Sequence, residues 1–257
     1  MKEYKGYLVD LDGTMYRGSE KIEAASDFVK TLKNRNMPYL FLTNNSSATP
    51  EKVAEKLIQM DIPTVPEQVV TSSMATAAYI QQQKKDATVY VIGEEGLTDA
   101  IKKSGLTITD SQADYVVVGI DREISYEKLA KGCLMVRDGA KFLSTNADVA
   151  IPIERGLLPG NGSLTSVITV STGVQPVFIG KPEPIIMEYA IEKMGLDKEE
   201  TMMVGDNYQT DILAGIRAGI DTLMVFTGIT SEADLMQEMT QPTYQVHSLM
   251  DWLPNIR

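Results

Sequence analysis

Short apolar runs and longer helical stripes alternate along this chain almost from its start. Tyr7, Leu8 and Val9 form a run of buried-strand length, and after a polar loop Ile22, Ala25, Phe28, Val29 and Leu32 recur at helical spacing. The same pair follows at once. A strand is predicted over residues 39–42, then Thr49 and Pro50 read as N-cap and first helical residue, with Val53, Ala54, Leu57 and Ile58 as the apolar stripe. Residues 69–71 and 74–83 give a third strand and helix, and the polar tract 81–86 behind them is a natural boundary.

The alternation restarts beyond it, with strands over 89–92, 115–120 and 141–143 and helices over 97–104 and 126–137. A Pro- and Gly-rich segment, 151–162, leads into a helix at 164–172. A third series then runs strand 177–179, helix 185–194, strand 202–204, helix 211–218, strand 222–226 and a terminal segment 244–252. Strands alternating with helices throughout predict an α/β protein whose doubly wound parallel sheets are covered on both faces. The expected division is a core of residues 1–78 and 177–257, with an inserted α/β unit of residues 79–176.

Composition narrows the chemistry. At 257 residues with 43% apolar and 23% charged side chains, the chain is globular and long enough for one large domain or two modest ones. Its formal net charge of −11 argues against a nucleic acid polymer or an anionic membrane as partner. No apolar run has the length of a membrane span, and the first residues lack the pattern of a secretion signal, so a cytoplasmic protein is expected. A single cysteine, Cys133, and a single histidine, His247, exclude a disulfide framework, thiolate zinc sites and histidine clusters. Cys133 reads as core and His247 as surface or packing. Assembly into a homo-oligomer is left open.

Carboxylates remain, and their placement is informative. Asp10 and Asp12 follow the first strand, Thr43 and Asn44 the second, Lys181 the strand at 177–179, and Asp206 the strand at 202–204. Carboxyl ends of parallel strands share one edge, where open α/β sheets bind ligands. Asp and Asn after a strand are commonly turn formers or N-caps, but four coincidences weaken that reading. Asp10, Asp12 and Asp206 would repel one another without a cation, and hard oxygen ligands suit Mg²⁺. Thr43, Asn44 and Lys181 are donors suited to a phosphoryl group. One aspartate could attack phosphorus while the other protonates the departing alcohol.

The segments Asp10-Leu11-Asp12-Gly13-Thr14, Leu42-Thr43-Asn44-Asn45, Gly180-Lys181-Pro182 and Gly205-Asp206-Asn207-Tyr208-Gln209-Thr210-Asp211 resemble, in order and spacing, the four signatures of the haloacid dehalogenase superfamily. The long insertion between the second and third, with Ser144-Thr145-Asn146-Ala147-Asp148 and Leu158-Pro159-Gly160-Asn161-Gly162, resembles its NagD-like branch, also called the 4-nitrophenylphosphatase group. The resemblance implies a Rossmann-like core with an inserted cap, and magnesium-dependent hydrolysis of small phosphorylated metabolites. It makes Asp10 the nucleophile and Asp12 the general acid and then base. The Asp12 main-chain carbonyl joins Asp10 and Asp206 around the metal. Thr43 and Lys181 hold the phosphoryl group, and Asp211 orders metal waters or Lys181. It also makes the insertion a lid whose loop at 146–162 chooses the leaving group, with Asn146, Asp148, Ile151 and Arg155 as the candidate contacts.

Two other functions are weighed. A non-enzymatic phosphometabolite sensor could use the same crevice, although binding alone needs no nucleophile beside an acid. A dinucleotide-dependent oxidoreductase would need a glycine-rich turn after the first strand, which Asp-Leu-Asp-Gly-Thr does not supply.

Overall fold

The computed structural model describes residues 2–153 and 156–256. The chain divides into two compact units, one of residues 1–43, 51–70 and 181–257 and the other of residues 44–50 and 71–180.

The first unit is built on a six-stranded sheet in the order Tyr244–Val246, Asp221–Val225, Thr201–Gly205, Gly6–Asp10, Tyr39–Thr43, Val69–Thr71. The strand Gly6–Asp10 is buried at every residue and pairs in parallel with both neighbours, Tyr7 opposite Met202 and Tyr39. Burial on both faces is why these strands read as unbroken apolar runs rather than alternating ones. In this register Asp10 stands opposite Leu42 and Val9 opposite Val204, so Asp10, Thr43 and Asp206 emerge together at one edge. The helix Glu23–Asn34 turns Ala25, Phe28, Val29 and Leu32 inward, the stripe the sequence predicts. In the helix Pro50–Gln59 the stripe is narrower than predicted: Leu57 is buried but Ile58 is 57% exposed.

The second unit holds a five-stranded sheet in the order Val177–Phe178, Lys141–Ser144, Tyr115–Val118, Thr88–Ile92, Thr107–Ile108. Its pairs are all parallel. Successive side chains leave opposite faces. Val89, Tyr115 and Val117 therefore pack with Ala77, Ile80, Leu97 and Ile101 from the helices Ser72–Gln83 and Glu95–Lys103. Tyr90, Ile92, Val116 and Val118 pack on the other face with Cys133 and Ile168, from Tyr126–Arg137 and Asn161–Thr172. Cys133 is thus a core residue.

Three assignments need correction. Residues 177–179 were expected to open the third series in the core, yet Val177 pairs with Leu143 and Phe178 with Ser144, as an edge strand of the second sheet. A run of three apolar residues carries no information about which sheet it joins. The helix Ser72–Gln83, expected to straddle the boundary at 78/79, belongs wholly to the second unit because Ala77 and Ile80 face Leu97 and Ile101. The polar tract 81–86 is only the last turn of that helix and the turn after it. The segment expected to be a loop at 151–162 begins as an antiparallel hairpin, Ala150–Ile153 with Gly156–Pro159. Among the described residues no helix is long and apolar enough to cross a membrane.

Candidate active site

The first unit gathers Asp10, Asp206 and Asp211, which can each present a carboxylate oxygen within 4.8 Å of the others. All three are buried, at 7%, 0% and 1% exposure. Lys181 lies among them at 2% exposure, its Nζ donating to Asp10 Oδ1, to Asp211 Oδ1 at 2.8 Å and to the Leu42 carbonyl at 3.3 Å. Thr43, which ends its strand, is also buried.

One ammonium against three carboxylates leaves an excess of negative charge in a region with little water. Desolvation first, then the Asp211 charge, push the Asp10 carboxyl well above the ordinary carboxylate range, against the pull of Lys181. Asp206 is pushed up to about 6, by desolvation and then by Asp211, with the Ile229 N–H, the Thr14 hydroxyl and Lys181 opposing. Burial works against the Lys181 ammonium, but the charges of Asp10 and Asp211 outweigh it and hold its pKa above that of an ordinary lysine. A cluster that raises its own proton affinity in this way is one a cation would relieve, and its all-oxygen donor set fits a hard divalent ion.

The hydrogen bonds separate the carboxylates by what they have left to offer. Asp211 Oδ1 accepts from Lys181 and from the Thr210 hydroxyl at 3.2 Å, and Oδ2 from the Asn207 N–H at 3.1 Å. Asp206 accepts one bond on each oxygen, from Thr14 Oγ1 and the Ile229 N–H, both at 2.9 Å. Asp211 is therefore the carboxylate engaged in orienting Lys181, whereas Asp206 accepts from the main chain and Thr14 and not from Lys181.

Asp12 stands apart. Its side chain is exposed and lies outside the carboxylate cluster. Desolvation raises its pKa, while Lys56, the Tyr16 hydroxyl and Lys181 draw it down. Tyr16 donates to Asp12 Oδ2 at 3.3 Å, and Lys56 Nζ sits 3.6 Å from the centre of the Tyr16 ring. Such a carboxyl can exchange protons with solvent or a ligand.

Sequence reasoning missed Tyr16 and Lys56, and it missed the loop that wraps Asp206. There Ile229 N–H donates to Asp206 Oδ2, Thr230 N–H to the Asp206 carbonyl at 3.2 Å, and Thr227 Oγ1 to the Gly13 carbonyl at 2.7 Å. Gly13, at φ +96°, and Gly228 both lie so close to the Asp206 carboxylate that a Cβ on either would overlap it. Gly228, a lone glycine just past a predicted strand, was the available signal.

Asn44 follows Thr43 but is counted with the second unit, where its Nδ2 lies 3.3 Å from both Asp148 carboxylate oxygens. Asn146 is buried, and its amide is engaged at both ends: Nδ2 donates to the Asn44 carbonyl at 2.8 Å and Oδ1 accepts from the Asp148 N–H at 3.1 Å. Asp148 is half-buried, and Ile151, also half-buried, pairs with Leu158 in the hairpin. Arg155 lies outside the described residues. His247 is an exposed partner of Glu232.

A family model described as haloacid dehalogenase-like hydrolase matches residues 7–107, and a second, HAD-hydrolase-like, matches residues 178–252. The chain is 66% identical over 256 residues to the 5'-nucleotidase YutF of Bacillus subtilis, covering all of both chains. It is 54% identical to the acid sugar phosphatase of Staphylococcus haemolyticus, over 97% of this chain and 95% of that one. The structure of a p-nitrophenyl phosphatase from Archaeoglobus fulgidus superposes with a TM-score of 0.93 at 32% identity, over 98% of this chain and 99% of that one.

Proposed function

This chain belongs to the haloacid dehalogenase-like hydrolases as a NagD-like phosphatase, and we propose that it hydrolyses small phosphomonoesters with Mg²⁺ through an aspartyl phosphate on Asp10. The substrates are nucleotide monophosphates, sugar or glycerol phosphates, and aryl esters such as 4-nitrophenyl phosphate. The observation that carries the reading is the convergence of Asp10, Asp206 and Asp211 around one buried lysine.

Asp10 attacks phosphorus in line with the ester oxygen. Thr43, Asn44 and Lys181 hold the other phosphoryl oxygens, and Lys181 also orients the Asp10 carboxylate. Asp12 gives its proton to the departing alcohol, then takes one from the water that attacks the phosphoryl-aspartate. Its raised pKa suits an acid that must be protonated in one step and ionised in the next. Tyr16 and Lys56 hold Asp12 in place between the two. The Asp10 and Asp206 carboxylates and the Asp12 main-chain carbonyl would hold the ion, which would supply charge to offset the phosphate dianion. Asp211 orients Lys181.

The leaving group is read by the second unit, through Asp148, Ile151 and Arg155. Phosphorylated metabolites carry charge and stay inside cells, so the cytoplasm is the compartment we propose. A mere sensor would have no use for an acid and a nucleophile two residues apart, and the phosphatase relatives span the whole chain.

Acid-quench labelling tests the reading. With a ³²P-labelled ester and Mg²⁺, label should remain on the peptide containing Asp10, and a chelator should abolish both labelling and turnover. Label on another residue, or turnover in verified metal-free protein, would refute it.

A further inference from the structure

The chain passes between its two compact units at four places, and two of them fall at Thr43/Asn44 and Gly180/Lys181. Each places a residue of the second unit directly beside a phosphoryl ligand proposed above. Within the second unit those two residues are fastened to the same short segment. The Gly180 N–H donates to the Thr145 carbonyl at 2.9 Å, and Asn146 Nδ2 donates to the Asn44 carbonyl at 2.8 Å. Ser72 Oγ donates to that same Asn44 carbonyl at 2.8 Å. The packing here admits no side chain on Gly180, since a Cβ would stand 2.5 Å from Asn44 Oδ1 and 2.6 Å from the Thr145 carbonyl oxygen.

Asn161 anchors the segment from behind. At 1% exposure, its Nδ2 faces the Asn146 carbonyl and Ser144 Oγ at 2.9 Å, Thr145 Oγ1 at 3.2 Å and the Val118 carbonyl at 3.4 Å. Two of these four acceptors are main-chain carbonyls, which cannot donate, so turning the amide over would set oxygen against oxygen. The orientation is therefore fixed, and among the described residues Asn161 Oδ1 has no partner. A buried acceptor left unmet is unfavourable. In return the amide nitrogen ties the end of the strand Tyr115–Val118 to the Asn146 main chain.

We propose that Asn146, held by Asn161, is a positioning residue for phosphoryl transfer, clamping the Asn44 backbone beside the Thr145 carbonyl that holds Gly180, so that Thr43 and Lys181 enter the active site in register. The buried amide of Asn146, engaged at both ends, suits a clamp rather than a substrate contact. One peptide bond separates each clamped residue from the ligand it serves, so loss of the clamp is felt at the phosphoryl group and not at the leaving group. The inference rests on the assignment of Thr43 and Lys181 to the phosphoryl group.

The test uses the full chain with saturating Mg²⁺ and the variants Asn146→Asp, Asn146→Ala and Asn161→Ala. Asn146→Asp keeps the volume and the acceptor for the Asp148 N–H while removing the donor to Asn44, so it decides the matter if the alanine variants fail to fold. The kcat/KM for 4-nitrophenyl phosphate and for an alkyl phosphate should fall by one common factor, ~10- to 100-fold, and inhibition by inorganic phosphate should weaken by about tenfold, the scale of a small misplacement. A loss confined to one ester would make Asn146 a leaving-group contact and overturn the proposal. So would a lowered Tm with kcat/KM and phosphate inhibition unchanged per folded molecule. Thr43→Ala is the control. If it leaves phosphate inhibition intact, the phosphoryl-binding assignment itself fails; if it weakens inhibition and Asn146→Asp does not, only the clamp fails.

Discussion

Lys181 donates to Asp211 across 2.8 Å with both side chains sealed from solvent, at 3% and 1% exposure. An ion pair so buried is sensitive to the loss of either partner. Replacing Lys181 by Met leaves Asp10 and Asp211 without their shared cation, and unfolding free energy in metal-free buffer at neutral pH should drop by ~3–5 kcal/mol. Urea denaturation measures it, and saturating Mg²⁺ should restore part of the loss. Unchanged stability would mean that the pair contributes nothing to the fold.

Cation binding should raise Tm and depend on pH. An ion bound only by the folded chain adds ~2.7 kcal/mol at a concentration one hundred times its Kd. Asp206, raised by desolvation and by Asp211 to about 6, takes up a proton as pH falls through that value, and the proton competes with the ion. The Tm gain from Mg²⁺ in previously chelated protein should therefore be larger at pH 7.5 than at pH 5. Equal gains would place the ion away from Asp206.

Asp10→Asn should lose ~10³-fold or more in kcat, since an amide of the same shape is no nucleophile. Circular dichroism should remain that of the parent, and labelled phosphate should no longer attach. Retained turnover would sink the nucleophile assignment.

Asp12→Asn should spare the substrate with the better leaving group. In single-turnover assays the phosphorylation step should slow by ~10²–10⁴-fold for an alkyl phosphate, the range of general acid catalysis, and by much less for 4-nitrophenyl phosphate. Equal losses would remove Asp12 from the role of acid.

Ile151→His should redistribute kcat/KM among phosphomonoesters by ~10-fold or more, the effect of one altered pocket contact. The requirement for Mg²⁺ should stay as in the parent. A substrate profile identical to the parent's, in folded protein, would assign the hairpin no part in selectivity.

The strands were legible because both faces of each sheet are covered, so runs such as Tyr7 to Val9 and Tyr115 to Val118 stand out without alternation. Asp10 and Asp206 were readable in the same way, as polar residues just past strand ends of one sheet, whereas Asp211 came only from the resemblance of the last signature and Lys181 from a strand that joins the other sheet. What a single sequence hides is partnership. Nothing in Val177 and Phe178 says which sheet they extend, and the hairpin Ala150–Ile153 with Gly156–Pro159 is a pairing of two stretches that look like loop. Tyr16 and Lys56 escaped notice for a related reason: each is ordinary alone, and only folding stacks them beside Asp12. Sequence gives no measure of burial either, so the enclosure of the Asn146 amide was not readable from it.

The strand Gly6–Asp10 lies between Tyr39–Thr43 and Thr201–Gly205, so its two neighbours belong to opposite ends of the chain. On the ribosome the first neighbour emerges early, the second only after the whole of the other unit. Until then one side of the strand presents unpaired amides and carbonyls, a template for wrong partners. For that interval Asp10 also waits without Asp206 and Asp211, which follow Thr201–Gly205. On the proposed mechanism, the site around Asp10 is therefore assembled only once residue 211 has been made.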